Sequence, residues 1–117
     1  MNTLAETVTI AGGAAVSGAL SLRDNRGTGR ITGLLLPAGW TTAALTFQGS
    51  LDGENFFDIY DAGTERTVAS GAVVADRFLS LDPDLWDAFP HIKVRSGTAD
   101  TPVNQGADRT LTFAVQR

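Results

Sequence analysis

The chain has no cysteine and only one histidine among its 117 residues. The first absence excludes disulfides, thiolate metal centres and cysteine nucleophiles. The second excludes a multi-histidine zinc site. Lysine is nearly missing as well. Of nine basic residues only Lys93 is a lysine, and the arginines are scattered among 13 acidic residues, for a net charge of −4. Phosphate-led nucleic-acid binding needs a basic patch, so no nucleic-acid partner is expected. Long apolar runs are absent too. The small-residue stretch from Ala11 to Leu20 is broken by Gly12, Gly13, Ser17 and Gly18, so no membrane span is expected. Met1 to Glu6 carries an acid and no Lys or Arg, which is not the start of a secretory leader. The expectation is a protein made and kept in the cytoplasm, or built into something assembled there.

What the chain does hold is strand pattern. Hydrophobic residues make up 43% of it, enough for one globular domain over residues 1–117, with 1–12 as an extended arm. β-prone runs recur with turn residues between them. The first are Thr7–Ile10, Ala15–Leu22 and Arg30–Leu36, the last closed by Pro37 and Gly39. The clearest is Leu45–Ser50, where Leu45 and Phe47 should face inward, and Thr46 and Gln48 outward. Asp52-Gly53 signals a turn into the return strand Phe56–Tyr60, with Phe57 and Ile59 on one face. Thr67–Ala69 and Val73–Val74 are weaker strands, and Arg77–Leu81 a better one. His91–Gly97 alternates with Ile92 and Val94 inward and His91, Lys93 and Arg95 outward. Arg109–Val115 closes the chain with Leu111, Phe113 and Val115 inward. A single helix is expected over residues 82–89, with Asp82 as N-cap, Pro83 at its first position and Pro90 as its stop. About eight strands at this spacing predict an all-β antiparallel sandwich or jelly roll.

Four constellations are candidates for chemistry. Asp52, Glu54, Asp58 and Asp61 gather acids near one hairpin, but their spacing is not that of a calcium loop, and solvated turn acids are the simpler account. His91 lies on the outward side of a strand, without a nucleophile elbow or a metal-binding His-Glu-x-x-His run anywhere in the chain. The remaining acids form no pair with a reason for a raised pKa. No catalytic residue, metal or cofactor is therefore expected. The aromatic set is Trp40, Phe56, Tyr60 and Trp86. Trp86 is expected to pack the helix on the sandwich, and Trp40, after Pro37-Ala38-Gly39, is open to packing or to contact. Edge strands invite pairing, and Thr7–Ile10 carries no charge within it. Thr7, Val8, Thr9, Ile10, Trp40 and Tyr60 are thus the candidate partner contacts.

Two resemblances bear on function. Ser50-Leu51-Asp52-Gly53-Glu54-Asn55-Phe56 after a strand, with Phe89-Pro90-His91-Ile92-Lys93-Val94-Arg95 later, resembles the pattern of discoidin-type jelly rolls. A longer ordered series runs from about Ile31 to Val115. It takes in Gly33–Trp40, Leu45–Asp61, Leu79–Pro83, Ile92–Thr98 and Gln105–Leu111, and it is similar to small proteins encoded beside the capsid genes of tailed bacteriophages. That similarity implies a virion component, a capsid decoration (cement) protein on the head exterior. It also implies the major capsid protein as partner, a homotrimer as the working state and no enzymatic activity. The alternative is a carbohydrate-binding module of a head fibre or tail, touching a surface glycan through Trp40 and Tyr60.

Overall fold

The structure is a computed structural model and describes residues 3–24, 27–83 and 89–117. It is all-β and antiparallel. The strands in chain order are β1 (Thr3–Ile10), β2 (Leu20–Ser21), β3 (Arg23–Asp24), β4 (Gly27–Thr28), β5 (Arg30–Leu35), β6 (Leu45–Ser50) and β7 (Phe57–Asp58). They continue with β8 (Tyr60–Asp61), β9 (Thr64–Glu65), β10 (Thr67–Val68), β11 (Phe78–Ser80), β12 (His91–Ser96) and β13 (Arg109–Gln116). One sheet runs in the order β1-β13-β5-β11, the other in the order β10-β6-β12-β2, with β7 also paired to β6. Hairpins β3-β4 and β8-β9 stand apart from both.

Alternation determines which side chains meet between the sheets, because successive residues of a strand point to opposite faces. From the first sheet come Val8, Ile10, Ile31, Leu34, Leu111, Phe113 and Val115; from the second come Leu20, Leu45, Phe47, Ile92 and Val94. All are buried and form one cluster with Leu22, Leu36, Trp40, Ile59 and Val73. Burying each such side chain contributes roughly 1.5–3 kcal/mol.

The segment expected as an extended arm is extended and is zipped onto the last strand from Thr3 opposite Gln116 to Ile10 opposite Arg109. Arg117 fastens that junction. Its guanidinium donates to both carboxylate oxygens of Glu6 at 3.2 and 3.1 Å and to the Leu22 carbonyl at 3.0 Å. The expected strand Phe56–Tyr60 is cut in two: β7 pairs with β6, and β8 leaves to form its own hairpin with β9. Phe57 is consequently 70% exposed while Ile59 is buried, so the two do not share a buried face. The helix expected over 82–89 falls on residues 84–88, which lie outside the described residues. At its end Phe89 packs so closely on Gly49 that a Cβ there would strike its ring.

The turn between β6 and β7 forms as its sequence requires. Gly53 takes φ +81°, a conformation glycine adopts without steric cost. Ser50 Oγ accepts the Gly53 N–H at 2.8 Å, and Asp52 Oδ1 accepts the N–H groups of Glu54 and Asn55, each at 2.9 Å. These bonds to the charged form hold the Asp52 carboxyl well below the ordinary carboxylate range, the Asn55 and Glu54 backbone N–H groups being the largest causes. A carboxyl lowered in this way stabilises the fold above its unfolded pKa of about 3.9 and loses that contribution as pH falls below it. Asp52→Asn is therefore expected to flatten the acid limb of the stability profile below about pH 4. Urea unfolding of both forms between neutral and acid pH checks this, and identical acid limbs would refute it.

Candidate docking surface

The outward face of the first sheet follows from its register. The outward side chains are Thr3, Ala5, Thr7 and Thr9 on β1, Thr110, Thr112, Ala114 and Gln116 on β13, Gly33 and Leu35 on β5, and Phe78 and Ser80 on β11. All are uncharged, and Arg30, opposite Gln116, stands at one corner. Across the whole chain, charged residues make up 19%. Phe78 is 58% and Leu35 42% exposed. The Phe78 ring lies over Gly33, where a Cβ would meet its Cζ at 2.5 Å, so the glycine is what lets the ring lie flat on the sheet. Beside it is a shallow hollow of about 230 Å³, lined among others by Thr3, Ala5, Thr112, Ala114, Leu35 and Phe78. The patch shares with protein interface cores the depletion of charge, and it carries one exposed aromatic.

The sheet also ends in a long edge. β1 has eight residues and no proline, and its register with β13 has no bulge. The other sheet ends are short: three residues in β11 and two each in β10 and β2. Short strands, charges and bulges are the usual ways an edge is kept from pairing; β1 has none of these on its outward side.

Asp58, Asp61 and Glu65 lie elsewhere, at the second sheet and the β8-β9 hairpin beside it. Arg95, expected outward, is buried at 6% exposure. It does point away from the core, but the excursion from β7 to β10 covers it. Its guanidinium meets Asp58 at 2.9 Å and Glu65 at 2.6 Å, and its Nε donates to Thr46 Oγ1 at 3.0 Å. Thr46, also expected outward, is buried for the same reason and donates to the Gly97 carbonyl at 2.8 Å. This cluster is bonded within itself, and among the described residues no group of three or more His, Cys, Asp or Glu is placed to hold a metal.

The sequence-predicted contacts fall in three places. Thr7 and Thr9 lie on the outer face, while Val8 and Ile10 on the same strand are buried in the core. Trp40, open in the sequence to packing or to contact, is packed: at 5% exposure it belongs to the core. Tyr60 is 57% exposed but stands on the β8-β9 hairpin, away from β1. Leu35 and Phe78 were missed. The run Leu34-Leu35-Leu36 held the signal, since three successive residues of a strand cannot all face one side. With Leu34 and Leu36 inward, Leu35 has to point out.

No family model, curated protein or solved structure corresponds to this chain. The physical reading of its surface is thus the main guide to what it does.

Proposed function

We propose that this chain is a structural virion protein, a bacteriophage capsid decoration protein that docks on the outer surface of the head and stabilises it. The observation that carries the reading is the outer face of the first sheet, uncharged apart from Arg30 at one corner, with Phe78 and Leu35 exposed upon it. The resemblance of residues 31–115 to proteins encoded beside capsid genes supplies the class of partner, the major capsid protein. A cement role asks for a stiff scaffold and a broad contact surface, and a two-sheet antiparallel core with one flat uncharged face suits both. The glycan reading is weaker, because it relied on Trp40 and Tyr60 acting together and Trp40 is buried.

The test is co-sedimentation of the purified chain with heads assembled without it. The chain is expected to bind and to raise the temperature at which heads release DNA. Replacing both Leu35 and Phe78 by Glu should weaken binding at least about 30-fold, the loss of one interface hot spot of about 2 kcal/mol. Phe78 is 58% and Leu35 42% exposed, so the variant is expected to keep its fold. Heads that do not bind the chain, or that bind the double variant equally well, would overturn the reading.

A further inference from the structure

The hydrogen-bonding pattern of β1 identifies which backbone groups its edge presents. The Thr9 carbonyl accepts a bond from the Gly18 N–H at 3.3 Å, on the side away from β13. The Oγ1 atoms of Thr9 and Thr110 are 3.0 Å apart, the close approach expected of an antiparallel pair whose backbone groups are not bonded to each other. Because the register with β13 is unbroken, Thr7, Ala5 and Thr3 repeat the orientation of Thr9 at intervals of two. Their N–H and C=O groups point to the open edge. Gly18 closes that edge at Thr9, which leaves a free stretch over Thr3–Thr7 with Ala5 at its centre.

We propose that this stretch pairs antiparallel with the same stretch of a second copy, across a two-fold axis at Ala5. Thr3 then lies opposite the second copy's Thr7 and Ala5 opposite its own counterpart, and all three outward-pointing residues become hydrogen-bonded pairs. The two four-stranded sheets join into one of eight, and their uncharged outer faces become continuous. The edge is its own complement in side chains as well. The outward residues Thr3, Ala5 and Thr7 bring no charge to the seam. Glu6 is the only charge on the stretch and is held by Arg117 of its own chain at 3.1 Å. In the Ala5-centred register it faces Leu4 of the second copy and not another Glu6. A register centred on Glu6 would set two carboxylates opposite each other, and one centred on Leu4 would pair only Thr3 and Ala5 within the described part of the edge. Two chains of net charge −4 can therefore associate here without like charges meeting at the seam. A threefold ring, the state expected from the sequence, is heterologous and would need β1 to pair with a different edge of the next copy. The other sheet ends, β11, β10 and β2, have only three, two and two residues to offer.

This proposal does not rest on the capsid reading, because the purified chain alone tests it. Light scattering should give twice 12.3 kDa. Ala5→Pro removes an N–H that points away from β13, so it should give a monomer with an unchanged circular dichroism spectrum. The chain has no cysteine, so Ala5→Cys introduces a single thiol. Paired residues of this kind stand about 5.5 Å apart at Cα, within disulfide reach. Mild oxidation should link most of the Ala5→Cys chain into dimers. Thr3→Cys and Thr7→Cys should each link poorly alone and readily when mixed. A monomer or trimer by mass, a dimer that survives Ala5→Pro, or Ala5→Cys linking no faster than Gly71→Cys would overturn the proposal.

Discussion

Arg95→Ala is expected to cost about 3–5 kcal/mol of folding stability, the usual penalty for removing one partner of a buried ion pair. Against a total of about 5–15 kcal/mol for a domain, that is enough to leave the variant marginal. The reason lies in what remains behind. Glu65 is only 14% exposed, and without Arg95 its carboxylate keeps only the Ala99 N–H, at 3.1 Å. Asp58, a third exposed, can turn to water and loses less. Thr46 Oγ1 loses the donor at 3.0 Å but keeps its own bond to the Gly97 carbonyl. The β8-β9 hairpin should loosen first, since Glu65 is its tie to the second sheet. Urea unfolding in a double-mutant cycle checks the account. Glu65→Gln in the Arg95→Ala background should recover about 1–2 kcal/mol by removing the stranded charge. Arg66→Ala is the control. Its bond to Asp61 is equally short at 2.7 Å, but the pair is 33% and 64% exposed, so its loss should cost no more than about 1 kcal/mol. Equal costs for the two arginines would refute the argument.

The same cluster shows where reading the sequence stopped. Period-two alternation correctly put Ile92 and Val94 on one face of β12 and Arg95 on the other, and it did the same for Leu45, Phe47 and Thr46 on β6. What alternation cannot say is whether the outward face meets water. Here the excursion from β7 to β10 folds back over it, a long-range event encoded in no local pattern, and two side chains expected in solvent are buried. Turn chemistry was more legible, because its causes are local. Ser50, Asp52 and Gly53 bond within four residues of each other, and the turn forms as their types require. Gln105 lies at the opposite extreme. It is 1% exposed, and its side chain accepts from the Thr41 N–H at 2.9 Å and donates to the Thr41 carbonyl and Ser96 Oγ at 3.1 and 2.8 Å. Nothing in the loop around it marks that glutamine as the clamp between two distant segments. The candidate docking face was half legible. The uncharged run Thr7–Ile10 pointed to β1 and the run Leu34–Leu36 held the signal for Leu35, but only the register places Phe78 on the same side as Thr7 and Thr112.

Gly97→Ala is expected to be nearly as damaging as Arg95→Ala, and comparison with a second glycine separates its two causes. Gly97 has φ +89° and Gly63 has φ +87°, so any side chain meets the same backbone strain at both. That strain is about 1–2 kcal/mol for an L-residue. The surroundings differ completely. At Gly63 no atom lies within 4 Å of where a Cβ would stand. At Gly97 the Cβ would collide with the Thr101 carbonyl oxygen and meet the Val103 nitrogen at 2.6 Å and the Pro102 Cα at 2.9 Å. These are backbone atoms and cannot rotate aside. They are also bonded into the site: Gly97 pairs with Pro102 in a bridge, donates to the Ala44 carbonyl at 2.6 Å, and accepts from Thr46. Forcing them apart adds an overpacking cost of about 1–3 kcal/mol. Gly97→Ala should therefore lose roughly 2–5 kcal/mol and Gly63→Ala no more than about 2, the difference measuring the collision alone. Thermal and urea unfolding of the two variants under one set of conditions gives that difference directly. If the two fell together, close packing of the loop after β12 onto the Ala44–Thr46 segment would not be what makes glycine necessary at position 97.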